Sequence, residues 1–263
     1  MTSSNDRLAV VLAQPATWTT DGAANLAAVR DEVRLAGPFG DDHVLVLPEL
    51  VGATMARSRY VHELRAISAA AGSWVVGGSH YGTAGPLTNA GVVLDPAGHE
   101  VDHYEKRNPY GIEHAHGVQP GDRHATFDIG GRTVTVMICA DAWFAELLLD
   151  APRSADLVVV PSFSITRRPP AFARALWQHL AVARAYEFTA FVAVADWLQG
   201  ASYHGAPSAG VSGIADPFPT DPDRYYVAAA PAPLSVHELD LGRLDRLRVD
   251  RRTRGFSRVG APE

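Results

Sequence analysis

The chain has 263 residues, of which 47% are hydrophobic and 20% charged, with a formal net charge of −6. That length suits one large domain or two small ones and that balance a globular protein with a substantial core, and arginine and acidic residues are interspersed rather than gathered into a basic stripe, which argues against nucleic acid or an anionic membrane surface as a partner. No apolar run reaches the length of a membrane span, the start MTSSNDRLAV lacks the basic-then-apolar order of a secretion signal, and one cysteine, Cys139, cannot close an internal disulfide, which fits a reducing cytoplasm.

Arg7 to Ala13 reads as a first strand. Asp21 is a plausible N-cap for a helix with Leu26, Val29, Val33 and Ala36 on one face, stopped by Gly37 and Pro38. His43 to Leu47 is the apolar run of a strand covered on both sides, and it ends at Pro48-Glu49. A helix over Arg57 to Ala71 stops at Gly72, and a strand over Ser73 to Ser79 follows. Asn89 to Leu94 and Glu100 to Glu105 read as two strands joined by a turn at Asp95-Pro96-Ala97-Gly98. Lys106 lies just past the second, and Arg107 to Asp122 is a long polar loop.

Thr126 to Ile129 and Arg132 to Ile138 form a hairpin around Gly130-Gly131, ending at Cys139. A polar, aromatic turn precedes a helical run from Ala145 to Asp150. Asp156 to Val160 is a buried strand, Phe172 to Glu187 a helix, and Ala190 to Ala195 a strand ending at Asp196. Gly200 to Ala209 is a flexible loop. Val211 to Ala215 and Tyr225 to Ala230 read as a hairpin and Leu234 to Leu241 as a last strand. The Arg-rich tail from Gly242 is expected to reach across the surface or onto a partner subunit. The two halves repeat one order of strands and helices, without a linker. This predicts one domain over residues 1–263: an α/β, four-layer α-β-β-α sandwich of two mixed sheets. A single doubly wound sheet is the alternative.

Three reactive side chains share one property: Glu49, Lys106 and Cys139 each end a predicted strand, where α/β sheets place their chemistry. Of 23 basic residues Lys106 is the only lysine, and an ammonium offers a compact charge and a proton it can release. If the three strand ends meet, a carboxylate can take the proton of a thiol while an ammonium stabilises the anion. The rival pairing is Cys-His among 11 histidines. His62 and His179 read as ordinary helix residues. His114, His116 and His124 show no metal-motif spacing, so no metal is expected.

LPEL (Leu47 to Leu50), YEK (Tyr104 to Lys106) and ICADAWFAE (Ile138 to Glu146) resemble the three short motifs of the nitrilase, or carbon-nitrogen hydrolase, superfamily. The resemblance extends to Trp177, Leu180, Arg184, Ala185 and Glu187, and to Gly210, Ser212, Ile214, Asp216 and Pro217, and so covers nearly the whole chain. It implies that Glu49 is a general base, Lys106 and Cys139 its partners, and Glu113 a second glutamate that positions the lysine. It implies an oxyanion held by Lys106 and the Ala140 N–H. No cofactor is implied, and a homodimer or higher homo-oligomer is. Trp143, Tyr110, His114, Phe163 and Asp196 are expected around a small-molecule amide. The chain departs from the family pattern at Asn108, where a histidine is common, and at Trp143 and Ala145, where arginine and proline are common.

Amide hydrolysis through a thioester is the expected reaction, because Cys139 is followed by x-Asp. N-carbamoyl amide hydrolysis, nitrile hydrolysis and acyl transfer to an amine use the same residues. A catalytically silent binding protein on the same fold is the reading of a different class.

Overall fold

The computed structural model describes residues 7–82, 85–151 and 153–256. In chain order the elements are β1 (Arg7–Ala13), α1 (Gly22–Ala36), β2 (His43–Val46), α2 (Arg57–Ala71), β3 (Trp74–Val76), β4 (His80–Tyr81), β5 (Asn89–Leu94) and β6 (Glu100–Glu105). Then come α3 (Ile112–Ala115), β7 (Thr126–Ile129), β8 (Arg132–Val136), a 3₁₀ turn over Cys139–Trp143, α4 (Glu146–Leu149) and β9 (Leu157–Pro161). The chain continues through α5 (Pro170–Phe188), β10 (Phe191–Ala195), β11 (Ser202–Tyr203), β12 (Ala206–Pro207), β13 (Gly213–Ala215), β14 (Tyr226–Ala228), β15 (Leu234–Asp240) and α6 (Leu241–Thr253).

Two mixed sheets carry the fold. One runs β15-β1-β2-β3-β5-β4 with β6 paired to β5, and the other β14-β13-β10-β9-β8-β7. The side-chain period of two sorts each strand to two faces. Leu8, Val10 and Leu12 of β1 join the core between the sheets, whereas Val11 and Ala13 pack with Leu26, Val29 and Val33 of α1. Val44 and Val46 of β2 divide from Leu45 and Leu47 in the same way. Helix α2 adds Tyr60, Leu64 and Ile67 to the outer layer. On the second sheet, Trp177, Ala181 and Ala185 of α5 form the matching cover. The result is the α-β-β-α sandwich, not the single doubly wound sheet.

Topology decides which strand ends meet. β1, β2 and β3 are parallel, and so are β8, β9 and β10. β5 runs antiparallel to β3, and β6 antiparallel to β5. β6 therefore runs with β2, and Glu49 and Lys106 leave the sheet at one edge. By the same geometry the first residue of β5, Asn89, lies at that edge too.

Several expected elements differ. The strand after α2 is only Trp74–Val76. Gly78 has φ +72°, and a Cβ there would stand 2.2 Å from the Pro48 carbonyl oxygen, so the chain must leave strand geometry to pass the Glu49 loop. The long polar loop contains α3, and the polar turn after Cys139 is a 3₁₀ helix, while the helical run expected over 145–150 is present as α4. The loop over 200–209 is a hairpin, β11 and β12, turned by His204 and Gly205 at positive φ.

The tail expected to reach across the surface is helical. Residues 241–253 form α6, docked on the chain itself. Leu241, Leu244 and Leu247 are buried, and Arg248 donates to Asp156 Oδ1 at 2.5 Å and to the carbonyls of Ala155 and Thr189. The apolar positions are correctly spaced for a helix, but the arginines between them mask the pattern. The end of that tail, from 257, and the first six residues lie outside the described residues. Among the described residues no helix is long and apolar enough to cross a membrane.

Docking of α6 makes a thermodynamic prediction. Leu244→Ala removes a core side chain and is expected to cost about 2–4 kcal/mol, seen as a lower urea midpoint at unchanged slope. A detached tail would show no change.

Candidate active site

Glu49, Lys106, Glu113 and Cys139 come together and are all buried. Lys106 Nζ donates to Glu49 Oε1 at 2.6 Å and to Glu113 Oε2 at 2.5 Å. Asn89 Nδ2 donates to Glu49 Oε1 at 2.9 Å and to Glu113 Oε1 at 2.8 Å. The main-chain N–H of Phe163 donates to Glu49 Oε2 at 3.1 Å, and that of Tyr110 to Glu113 Oε2 at 2.8 Å. The Cys139 thiol lies beside the Glu49 carboxyl and the Lys106 ammonium, near enough for each to shift its proton affinity. A thiol, a carboxyl and an ammonium from three distant strand ends thus share one space.

Each group is held by the main chain around it. Cys139 has φ +46°, a left-handed conformation costing about 1–2 kcal/mol in a non-glycine residue. That conformation turns the chain from strand into 3₁₀ helix and points the thiol off the sheet edge. Asp141 stabilises the turn: its carboxylate accepts from the Ile138 N–H, from the Arg107 and Asn108 N–H groups, and from Asn108 Nδ2 at 2.9 Å. The segment carrying Lys106 is thereby tied to the segment carrying Cys139. Arg184 of α5 donates to the carbonyls of Ala142 and Trp143, and Trp177 meets Trp143 edge-on. Glu49 is fixed from the second sheet: Trp197 Nε1 donates to its carbonyl at 2.9 Å, and its N–H donates to Ser162 O at 3.2 Å.

The electrostatics follow from burial. Desolvation pushes the Glu49 carboxyl up, more than the Lys106 ammonium holds it down. Desolvation, then the Glu49 charge, pushes the Cys139 thiol well up. Burial alone would strip the proton from Lys106, but Glu49, Cys139 and Glu113 outweigh it and hold the ammonium above the ordinary lysine range. The site therefore contains a thiol and a carboxyl that both hold their protons more tightly than usual, beside a fixed positive charge. Transfer of the thiol proton to Glu49 leaves the total charge unchanged.

The expected pocket residues divide. Phe163 packs against Trp18, Trp197 and Tyr203, and its main-chain N–H is what reaches Glu49. Tyr110 is 69% exposed and touches the site through its main chain. Trp143 and His114 lie at the surface, Trp143 on the turn with Cys139 and His114 in the helix with Glu113. Ala140 is buried next to Cys139. Asp196 is not a pocket wall. It is fully buried, and its carboxylate accepts from the Ser164 N–H and hydroxyl, the Ser208 hydroxyl and the Val211 N–H. Those bonds clamp two loops. His124 accepts from Arg107 at 3.0 Å, and among the described residues no group of three or more His, Cys, Asp or Glu side chains is placed to hold a metal ion.

Asn89 is the residue that sequence reasoning missed. It reads as the first residue of an ordinary strand, and the only available signal was its position at the amino end of an antiparallel neighbour. Tyr203 was also hidden, within what reads as a flexible loop. Its hydroxyl lies 3.2 Å from that of Tyr81, beside the same charged cluster.

A family model described as carbon-nitrogen hydrolase matches residues 7–221. No curated protein matches the chain by sequence. Solved structures share its fold. Nit3 of Saccharomyces cerevisiae, a member of branch 10 of the nitrilase superfamily, is 20% identical with a TM-score of 0.78, over 95% of this chain and 97% of that one. XC1258 of Xanthomonas campestris, a CN-hydrolase superfamily protein, is 20% identical with a TM-score of 0.75, over 96% and 98%. An amidase from Nesterenkonia sp. is 23% identical with a TM-score of 0.71, over 94% and 96%.

Lys106 is the only lysine in the chain, and two buried carboxylates bond to it. Lys106→Met is expected to destabilise the protein by about 3–5 kcal/mol, because it leaves buried charges uncompensated. Adding Glu113→Gln should recover part of that loss in a denaturant titration. Equal stability of wild type and the single variant would contradict the ion cluster.

Proposed function

Because the chain belongs to the carbon-nitrogen hydrolase family, we propose that it hydrolyses a small carboxamide to a carboxylate and ammonia through a thioester on Cys139. The observation that carries this reading is the burial of Cys139 together with Glu49, Lys106 and Glu113, with the Lys106 ammonium bonded to both carboxylates. Glu49 takes the thiol proton, and the sulfur attacks the carboxamide carbon. Lys106 and the Ala140 N–H stabilise the oxyanion, a contribution whose loss typically costs about a hundredfold or more in rate. The tetrahedral adduct collapses, Glu49 returns its proton to the departing nitrogen, and ammonia leaves. Water then gives a proton to Glu49 and attacks the thioester, releasing the carboxylate and restoring the thiol. Each proton removed is returned, so the cycle consumes only amide and water and needs no redox partner. Glu113 does not move a proton in this scheme. It holds Lys106 with a second carboxylate.

Burial supports a small substrate. Cys139 is only 9% exposed, and the groups around it less, so the acyl part that reaches the sulfur must be compact. Aromatic residues flank the site: Trp143 and Tyr110 are exposed, and Trp18 meets Phe163 at a tilt and Tyr203 edge-on. Cys139→Ala is expected to abolish ammonia release from a panel of small amides while the circular-dichroism spectrum stays native. The wild-type protein quenched during turnover should carry an acyl mass on Cys139. Full activity in the variant would refute the scheme.

Self-association belongs to the same proposal. Phe172, Leu176 and Tyr186 recur on one face of α5 at helical spacing and are each about half exposed. They lie on the helix that braces the Cys139 turn, so covering them in a homodimer would also stiffen the site. Leu176→Arg is expected to convert a dimer to a monomer in analytical ultracentrifugation. A wild-type monomer at micromolar concentration would remove this part of the proposal.

A further inference from the structure

Asn89 is completely buried at the start of β5, and it bridges two acids with one nitrogen. Its Nδ2 donates to Glu49 Oε1 and to Glu113 Oε1, at 2.9 and 2.8 Å. Both protons of the amide are thus used, one on each carboxylate. Its Oδ1 is buried and has no hydrogen-bond partner among the described residues. The amide cannot be turned over, because its oxygen would then face two carboxylate oxygens. Its backbone is fixed as well, since the Lys106 N–H donates to the Asn89 carbonyl at 2.8 Å.

This is a costly way to fill space. A buried amide with an unpaired oxygen is less stable than an apolar side chain of the same size. What an apolar residue lacks is the NH₂ group. Lys106 neutralises one negative charge, and two carboxylates press on it, so the second acid needs a neutral donor to remain close. A rigid amide supplies that donor and sets the gap between the acids.

We propose that Asn89 is a positioning residue that sets Glu49 and Glu113 on either side of Lys106 and favours the proton-accepting form of Glu49. This rests on the reading of Glu49 as the base for Cys139. Glu49 is faced by Lys106 past the end of β6, Glu113 of α3, Cys139 of the 3₁₀ turn and the Phe163 N–H, with the phenols of Tyr81 and Tyr203 beyond. Among these side chains Lys106 is the one cation; Asn89 adds a neutral donor to the carboxylate form. Removing a donor from the ionised form raises the proton affinity of a carboxyl. A base works only when unprotonated, so the acid limb of any reaction that uses it moves to higher pH.

Cys139 is the only cysteine, so its alkylation by iodoacetamide reads one residue without background. The rate is measured against pH for wild type, Glu49→Gln, Asn89→Ala and Asn89→Asp, with circular dichroism on each. The wild-type rate should fall on the acid side as Glu49 is protonated, and Glu49→Gln should remove that limb. Asn89→Ala should move the limb up by about one pH unit, the loss of one hydrogen bond to a charged group. Asn89→Asp keeps the side-chain size, adds a like charge, and should move it further. If Glu49→Gln keeps the wild-type limb, Glu49 is not the base, and the reading of the site falls together with this proposal. If Glu49→Gln removes the limb while both Asn89 variants keep the wild-type profile, only the role of Asn89 is overturned. Loss of the native spectrum in both Asn89 variants would assign the residue to packing, and would overturn its positioning role too.

Discussion

The structure depends on one buried ammonium held between two carboxylates. Without Lys106, Glu49 and Glu113 would share a space from which water is excluded, and each would raise the proton affinity of the other. With it, both acids are bonded at short range and a thiol can sit against one of them. Low local dielectric strengthens each of these contacts, and it also makes an unpaired member of the cluster expensive. The cluster is therefore a condition on the fold: the strands must end where the charges can meet. The chain carries no other lysine, whereas arginine fills the remaining basic positions. A planar guanidinium could not replace a compact ammonium bonded to two acids at 2.5 and 2.6 Å.

The second constraint is that the site straddles two sheets. Glu49 and Lys106 leave one sheet and Cys139 the other. The sandwich would tolerate small shifts between its layers, but the chemistry would not. Three polar stitches prevent the shift. Asp141 gathers the Lys106 and Cys139 segments on one carboxylate. The Phe163 N–H and the Trp197 indole hold Glu49 from the ends of β9 and β10. Arg184 ties the Cys139 turn to α5. Backbone strain concentrates in the same place: Cys139 and Leu50, the neighbour of Glu49, are both left-handed. Strain of that kind persists only where the surroundings over-determine the chain, and here hydrogen bonds from three directions do so.

Much of this was legible along the chain. Alternating and 3.6-residue patterns marked nearly every strand and helix of the sandwich, because each of those elements buries one face. The patterns failed where burial is not periodic. Arginines that snorkel across the surface hid α6, whose leucines are correctly spaced. Hairpin β11–β12 is too short for a pattern to register. At the site, Glu49, Lys106, Glu113 and Cys139 stood out by residue type and by strand ends. Asp196 stood out for the same reasons and proved to be a clamp, because a strand-end acid that finds donors on neighbouring loops is indistinguishable in sequence from one that faces a cavity.

What the sequence determined by itself is the set of elements and the reactive side chains at their ends, since both follow from local pattern and residue chemistry. What only the tertiary structure decided is who touches whom. Asn89 belongs to the charged cluster because β5 runs antiparallel to β3, so that its beginning, not its end, lies at the reactive edge. Phe163 contributes a main-chain N–H rather than its ring. Strand direction and main-chain donors carry no mark in side-chain order, because they arise from hydrogen bonding between segments that are far apart along the chain.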